Sequence, residues 1–318
     1  MVPLSSVQAT GARQAFYSLK FECRLSWLNM AGTAAHKADI CALQVPIAET
    51  QTQVGQPVAL VTGASQGIGR SLAEEFAAHR HNILMVARDG ERLRLVADDI
   101  RSRFDVDVHC LALDVMQPDA PNEILDYARA SRLNIDTLVL NAAVWSEGTI
   151  QKLPVGTLGQ VVNANIVSVC ELAKAVLPSM IDRKNGDILF VGSLAGNVPS
   201  PNNAIYSATK AFLKSFALSL RAECAPDGVN VSLLTPGAVD TGFTSSGTGN
   251  RGFHDRRRRL FAATPETVAW VAYRALKSRQ AIIVPSLFAR TLEFGTKLLH
   301  PAAIASLRHT FARSQVSS

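Results

Sequence analysis

Tyr206 and Lys210 stand four residues apart in Tyr206-Ser207-Ala208-Thr209-Lys210, at the head of a strongly helical stretch, Ala204–Ala222. That spacing puts both side chains on one helix face. A phenol ordinarily titrates at about 10, and a neighbouring ammonium favours its ionised form. Such a pair can give a proton to a carbonyl oxygen or, as phenolate, take one from an alcohol. Upstream, Ser193 follows an apolar run in Val191-Gly-Ser-Leu-Ala-Gly196, where its hydroxyl could hydrogen-bond a substrate oxygen. Taken alone, Tyr-x-x-x-Lys arises by chance, and Tyr206 could equally be a half-buried helix residue.

A second constellation lies near the start of the patterned region. Thr62-Gly63-Ala64-Ser65-Gln66-Gly67-Ile68-Gly69 joins a short apolar run, Val58–Thr62, to a helical segment, Arg70–His79. Gly63 allows a sharp turn, Gly67 allows the backbone to approach a pyrophosphate, and Gly69 allows close helix–strand packing. The amides of the helix N-terminus then face the anion. The next apolar run, Asn82–Ala87, ends in Ala87-Arg88-Asp89. NAD-selective sites place a carboxylate at that strand end for the ribose hydroxyls, whereas the 2′-phosphate of NADP calls for a cation. Arg88 offers a bidentate phosphate partner, so NADP is expected over NAD; a surface arginine, with Asp89 as the ribose acceptor, is the competing reading. Asp114, after the third strand, is placed to accept from an adenine amino group. Asn141 closes the fourth strand. Both residue types also serve as caps and turn formers.

The elements that must position these groups repeat along the chain. Val106–Leu113, Ile135–Asn141, Ile188–Gly192, Val229–Thr235 and Ala281–Val284 are further apolar runs of strand length, each separated from the next by room for a crossover helix. Strands apolar on both faces and alternating with helices form a parallel sheet covered on both sides. Right-handed crossovers wind it into an α/β, Rossmann-like, doubly wound fold. Seven such strands give a single catalytic domain over 56–285, with an N-terminal extension (1–55) and a C-terminal amphipathic helical extension (286–318). Ser193, Tyr206 and Lys210 then fall at the carboxyl ends of strands behind the glycine loop, where such sheets bind ligands.

Over about residues 57–285 the chain resembles the short-chain dehydrogenase/reductase family. The resemblance is carried by Thr62–Gly69, Asn141-Ala-Ala, Asn165, Ser193, Tyr206–Lys210 and Pro236-Gly-Ala-Val-Asp-Thr241. It implies hydride transfer between a nicotinamide ring and a carbonyl or alcohol carbon. Tyr206 would be the acid/base, Ser193 would polarise the carbonyl, and Lys210 would hold the nicotinamide ribose and depress the tyrosine pKa. Asn165 would hold a proton-relaying water, with Asn163 as the rival for that role. Gly63, Ser65, Gln66, Gly67, Ile68 and Gly69, with Arg88, Asp114, Asn141, Tyr206 and Lys210, would contact the dinucleotide; Val239 and Thr241 would meet the nicotinamide carboxamide. Two positions depart from the family pattern: Ala143 stands where glycine is frequent, and Gln66 where NADP-preferring members often carry Arg or Lys. The expected activity is NADPH-dependent reduction of an apolar or acyl-type ketone. An NAD-dependent secondary-alcohol dehydrogenase and a non-catalytic dinucleotide sensor are the alternatives, and the sensor has no need of the acid/base set.

Composition narrows the partners. The chain has 318 residues, is 47% apolar and 18% charged, and so has ample material for a core. Its net charge of +6 is uneven: +1 over 1–55, −4 over 56–250 and +9 over 251–318. That argues against a nucleic-acid-binding surface spread over the chain and points to a small-molecule substrate. Arg256–Arg259, in a Gly/Ser/Thr-rich segment (Gly242–Thr264) where the family carries a variable lid, could grip an anionic substrate tail or simply be a solvated charge run. Ser286–His300 and the stripe Ile304, Leu307, Phe311 are amphipathic; they could pack on the core or touch a membrane surface through 286–313. The five cysteines are scattered and form no C-x-x-C pair, so neither disulfides nor a metal site is expected, and a reducing, cytoplasmic setting is the natural reading. The first 38 residues carry four basic residues and one acidic one. They read as an organellar targeting segment, as a floppy leader, or as an upstream start choice for which Met30 is the candidate true start. A homo-oligomer formed through Thr157–Met180 and Ala204–Ala222 is expected.

Overall fold

The computed structural model describes residues 55–239 and 262–286, together with Thr291 and Ser306. Seven strands form one sheet in the order β3-β2-β1-β4-β5-β6-β7, every pair parallel. They are β1 (Gln56–Thr62), β2 (Asn82–Ala87), β3 (Val108–Ala112), β4 (Leu133–Leu140), β5 (Gly186–Val191), β6 (Val229–Leu234) and β7 (Ile282–Ile283). Successive side chains point to opposite faces of a strand. In β1, Val58 and Leu60 accordingly enter one apolar core and Ala59 and Val61 the other.

Helices close both faces. One core is completed by α3 (Ala120–Ala130), α4 (Thr157–Asp182) and α5 (Ala204–Cys224). The other is completed by α1 (Gly67–Ala78), α2 (Gly90–Arg103) and α6 (Pro265–Lys277). Helix α4 passes through a π-helical turn at Asn163–Val167 and contains Pro178. It is long and apolar enough to cross a membrane, with a mean hydropathy of 1.4. Its Val169, Leu172, Ala173, Val176 and Met180 are nevertheless buried in the core beside β4 and β5.

The chain lays β1, β2 and β3 outward to one side, then returns to place β4 on the other flank of β1. The order reverses there, and the crevice at the carboxyl ends of β1 and β4 is the place where such sheets bind ligands. Those ends are bolted together. Thr62 Oγ1 donates to Val139 O (3.2 Å) and accepts from the backbone amides of Asn141 (3.0 Å) and Ala142 (3.1 Å). Asn141 Nδ2 donates back to Thr62 O (2.9 Å) and Gly63 O (3.2 Å).

The seven-stranded, doubly wound architecture expected from the apolar runs is the one observed. Boundaries differ where the apolar pattern is interrupted or short. Helix α1 begins at Gly67, inside the glycine turn and ahead of the periodic stretch at Arg70, because glycines add no apolar period. Strand β7 pairs only through Ile282 and Ile283. Thr241, Arg256–Arg259, the lid segment at 240–261, the N-terminal extension to residue 54 and the amphipathic stripes after Ser286 lie outside the described residues.

The bolt makes a prediction. Asn141→Ala leaves two loop carbonyls without their donor and should cost about 1–3 kcal/mol in urea-unfolding free energy. A loss below about 0.5 kcal/mol, typical of an uninvolved surface position, would show that the contact does not hold the two strand ends together.

Candidate active site

Strand β5 delivers the chain into a tight turn, Leu194–Asn197, capped by Ser193, whose Oγ accepts from Ala195 N at 3.1 Å. That turn lies directly on α5. A Cβ on Gly196 would come within 2.6 Å of the Lys210 backbone carbon, so only glycine permits the approach. Tyr206 and Lys210 occupy the first two turns of α5, and both are buried. The structure thus brings Ser193, Tyr206 and Lys210 together. Lys210 Nζ donates to Val191 O at 2.8 Å and lies 5.6 Å from the Tyr206 ring centre.

Burial governs the protonation of this pair. Desolvation pushes the Tyr206 phenol up to about 12, against the opposing effect of its hydrogen bond with Ser193. The same desolvation pulls Lys210 down to about 8. The expected depression of the Tyr206 pKa by Lys210 is therefore not what the protein's own groups produce. The ammonium is engaged by the Val191 carbonyl, and removal from water outweighs the remaining effects. At neutral pH Tyr206 is a phenol holding its proton.

Asn165 is fully buried in the π-helical turn of α4. Its Oδ1 accepts from Val144 N (2.8 Å), and its Nδ2 donates to Val144 O (3.0 Å) and Thr209 Oγ1 (3.1 Å). Thr209 Oγ1 in turn donates to Tyr206 O at 2.8 Å. Asn165 therefore braces α5 against the segment leaving β4. Both its amide hydrogens are committed within the protein, so the side chain acts as a positioning group. Its rival Asn163 points elsewhere, with Nδ2 donating to Met116 O at 3.2 Å.

At the switch point the glycine turn has the form of an anion cradle. Gly63 and Gly67 have φ of +66° and +56°, and a Cβ on Gly69 would sit 2.3 Å from Gly63 O. Gly63 N donates to Val86 O (2.8 Å), which ties the turn to the end of β2. Gln66, the N-cap of α1, makes no side-chain bond to the first-turn amides, whereas α2 and α6 are capped by Asp89 and Thr264. Amides left open at a helix start, behind a turn that excludes side chains, fit the pyrophosphate of a dinucleotide. Ser65 is half-buried in the turn, and Ile68 packs into the core beneath it.

Around this cradle the remaining expected residues take differing positions. Asn141 is committed to the loop carbonyls, so it shapes the cradle. Asp114 Oδ1 accepts from Met116 N at 3.0 Å in a turn, while Oδ2 lies 4.0 Å from Arg88 Nη1. Asp89 Oδ1 caps α2 by accepting from Arg92 N at 3.0 Å. Val239 pairs with Ala263 across the two flanks of the variable segment. Three contributors have roles that were not assigned from sequence. Thr62 orients the turn. Trp145 packs against Tyr206 with ring centres 4.5 Å apart. Arg92 reaches the glycine turn through Gln66. Arg92 carried a usable signal, a second arginine one helical turn after Arg88; Trp145 had none beyond its closeness to Asn141-Ala-Ala.

The sheet order and the glycine turn at its reversal define a Rossmann-like nucleotide-binding domain. Residues 57–251 match the short chain dehydrogenase family, and the chain belongs to that family of NAD(P)-dependent oxidoreductases. It is 33% identical over 207 residues to the very-long-chain 3-oxoacyl-CoA reductase of Rattus norvegicus, covering 63% of this chain and 66% of that one. The chain thus spans slightly less than two thirds of that relative's length. It is 32% identical over 187 residues to the 3-oxoacyl-acyl-carrier-protein reductase of Escherichia coli, covering 59% of this chain and 75% of the other. Among solved structures, a short-chain dehydrogenase from Sphingobium yanoikuyae in complex with NADPH superposes with a TM-score of 0.66 at 26% identity, covering 82% of this chain and 96% of that one.

Ultraviolet titration tests the electrostatics directly. The difference spectrum between the wild type and Tyr206→Phe should show no phenolate from Tyr206 below about pH 10, the ordinary tyrosine value. Ionisation of Tyr206 near neutrality would overturn the statement that burial controls it.

Proposed function

We propose that the chain reduces the carbonyl of an apolar, acyl-type ketone, with NADPH as the hydride source and Tyr206 as the proton donor. The observation that carries this reading is the convergence of Ser193, Tyr206 and Lys210 beside the cradle, with a tyrosine that keeps its proton at neutral pH. A protonated phenol is the form that reduction needs. Ser193 holds the substrate oxygen towards Tyr206, Asn165 and Thr209 fix the helix that carries the phenol, and Lys210 supplies positive charge next to it. The reduced nicotinamide, when bound, supplies the hydride.

NADPH is favoured over NADH by the end of β2. The carboxylate that could have accepted from the ribose hydroxyls, Asp89, has one oxygen occupied in capping α2, and Arg88 is largely exposed, with Asp114 Oδ2 4.0 Å from its Nη1. An acyl-type substrate is supported by the aromatic wall that Trp145 builds against Tyr206 and by the names of the two reductases to which the chain is similar. Exposed Leu158 and Val167 on α4 and Phe212 on α5 support self-association through those helices.

Two outcomes are expected. With NADPH, kcat/KM should rise along a series of 3-oxoacyl thioesters of growing chain length, and NADH should be at least about tenfold poorer, the worth of one charge-assisted contact. Preference for NADH would overturn the cofactor assignment, and preference for small polar ketones the substrate assignment. For pH, Lys210 carries its charge below about 8 and loses it above. The reductive kcat/KM should therefore be flat up to that point and fall beyond it. A rate that climbs through pH 8–10 would contradict the role given to the ammonium.

A further inference from the structure

The position before Gly67 holds a neutral glutamine, yet it is not without a cation. Gln66 Oε1 accepts from Arg92 Nη1 at 2.6 Å, across 26 residues of sequence. Arg92 sits in the first turn of α2, where Asp89 Oδ1 caps its backbone amide, while its Nε is 4.0 Å from Asp89 Oδ2. Arg88 leaves the end of β2 one helical turn earlier, with Nη1 4.0 Å from Asp114 Oδ2. Two guanidinium groups therefore flank the outer rim of the glycine cradle, and both are open to solvent, at 67% and 54% of side-chain exposure for Arg88 and Arg92.

The chemistry of the tether matters. A carboxylate partner would orient an arginine and cancel its charge. The close contact of Arg92 is to a carbonyl oxygen, Gln66 Oε1, which orients the guanidinium without cancelling its charge; Asp89 Oδ2 stands at 4.0 Å, beyond hydrogen-bond length, and the other N–H groups of the planar fork remain able to donate. A phosphate monoester presents three acceptor oxygens and up to two negative charges, so it can take two guanidinium groups at once.

We propose that Arg92 is a second cation for the 2′-phosphate of NADPH and that Gln66 is its positioning residue: α2 supplies across space the charge that the loop itself lacks. This rests on the NADPH reading above and adds a specificity-determining residue to it.

Equilibrium titration of NADPH and NADH into the wild type, Arg92→Gln, Arg88→Gln, Gln66→Ala and the Arg92→Gln/Gln66→Ala double variant separates the two levels. Arg92→Gln should weaken NADPH about tenfold, the scale of one charge-assisted contact, and leave NADH within about twofold. NADH affinity doubles as the control that the site has folded. Gln66→Ala should weaken NADPH by a smaller factor and add nothing once Arg92 is replaced, because the two act as one unit. If Arg88→Gln collapses the NADPH preference and Arg92→Gln leaves it unchanged, Arg92 is a surface residue and the present inference falls alone. If the wild type binds both dinucleotides equally, the NADPH reading falls and this inference with it.

Discussion

The bond set between Thr62 and Asn141 is the constraint on which the site rests. It lies where the sheet reverses its strand order, and it joins the last residue of β1 to the first residue beyond β4 through a buried hydroxyl and an amide. One side of this junction is the glycine turn; the other is the segment through Val144 and Trp145. Val144 is gripped by Asn165, and Asn165 grips Thr209 in the helix that carries Tyr206 and Lys210. The cradle and the helix that carries Tyr206 are thereby connected through short hydrogen bonds between elements far apart in sequence. None of these contacts is long or exposed, so the geometry is set before any ligand arrives, which is what a catalytic site requires.

Removal from water tunes the chemistry that this frame holds. The phenol and the ammonium are both buried, and burial disfavours the charged form of each, raising one and lowering the other. The result is a tyrosine that keeps its proton and a lysine poised near the edge of neutrality. Positive charge at the other end of the site is treated differently. Arg88 and Arg92 stay in solvent, where an ionic contact contributes less energy than a buried one.

Much of this could be read from residues alone, for definite reasons. The seven apolar runs declared a sheet buried on both faces because parallel strands cannot hide polar side chains on either one. The glycine turn was legible because two positive φ angles and one backbone contact too close for a Cβ each demand glycine. The pairing of Tyr206 with Lys210 followed from helical spacing. What escaped depends on contacts across space. Nothing in the pattern around Asn165 shows that its amide hydrogens go to Val144 and Thr209. The sign of the Tyr206 shift depends on depth of burial, which a motif does not encode. Arg92 offered only its place one helical turn after Arg88; its partner Gln66 lies in another element and looked like a missing charge.

The most direct test of the proposed chemistry follows one atom. NADPH deuterated at the transferring position of its nicotinamide ring is incubated in ordinary water with a 3-oxoacyl thioester and the enzyme, and the product alcohol is analysed by mass spectrometry. Direct hydride transfer to the carbonyl carbon, with the oxygen protonated from Tyr206, places deuterium on the carbinol carbon and none on exchangeable sites. An unlabelled alcohol, or deuterium lost to solvent, would contradict the mechanism.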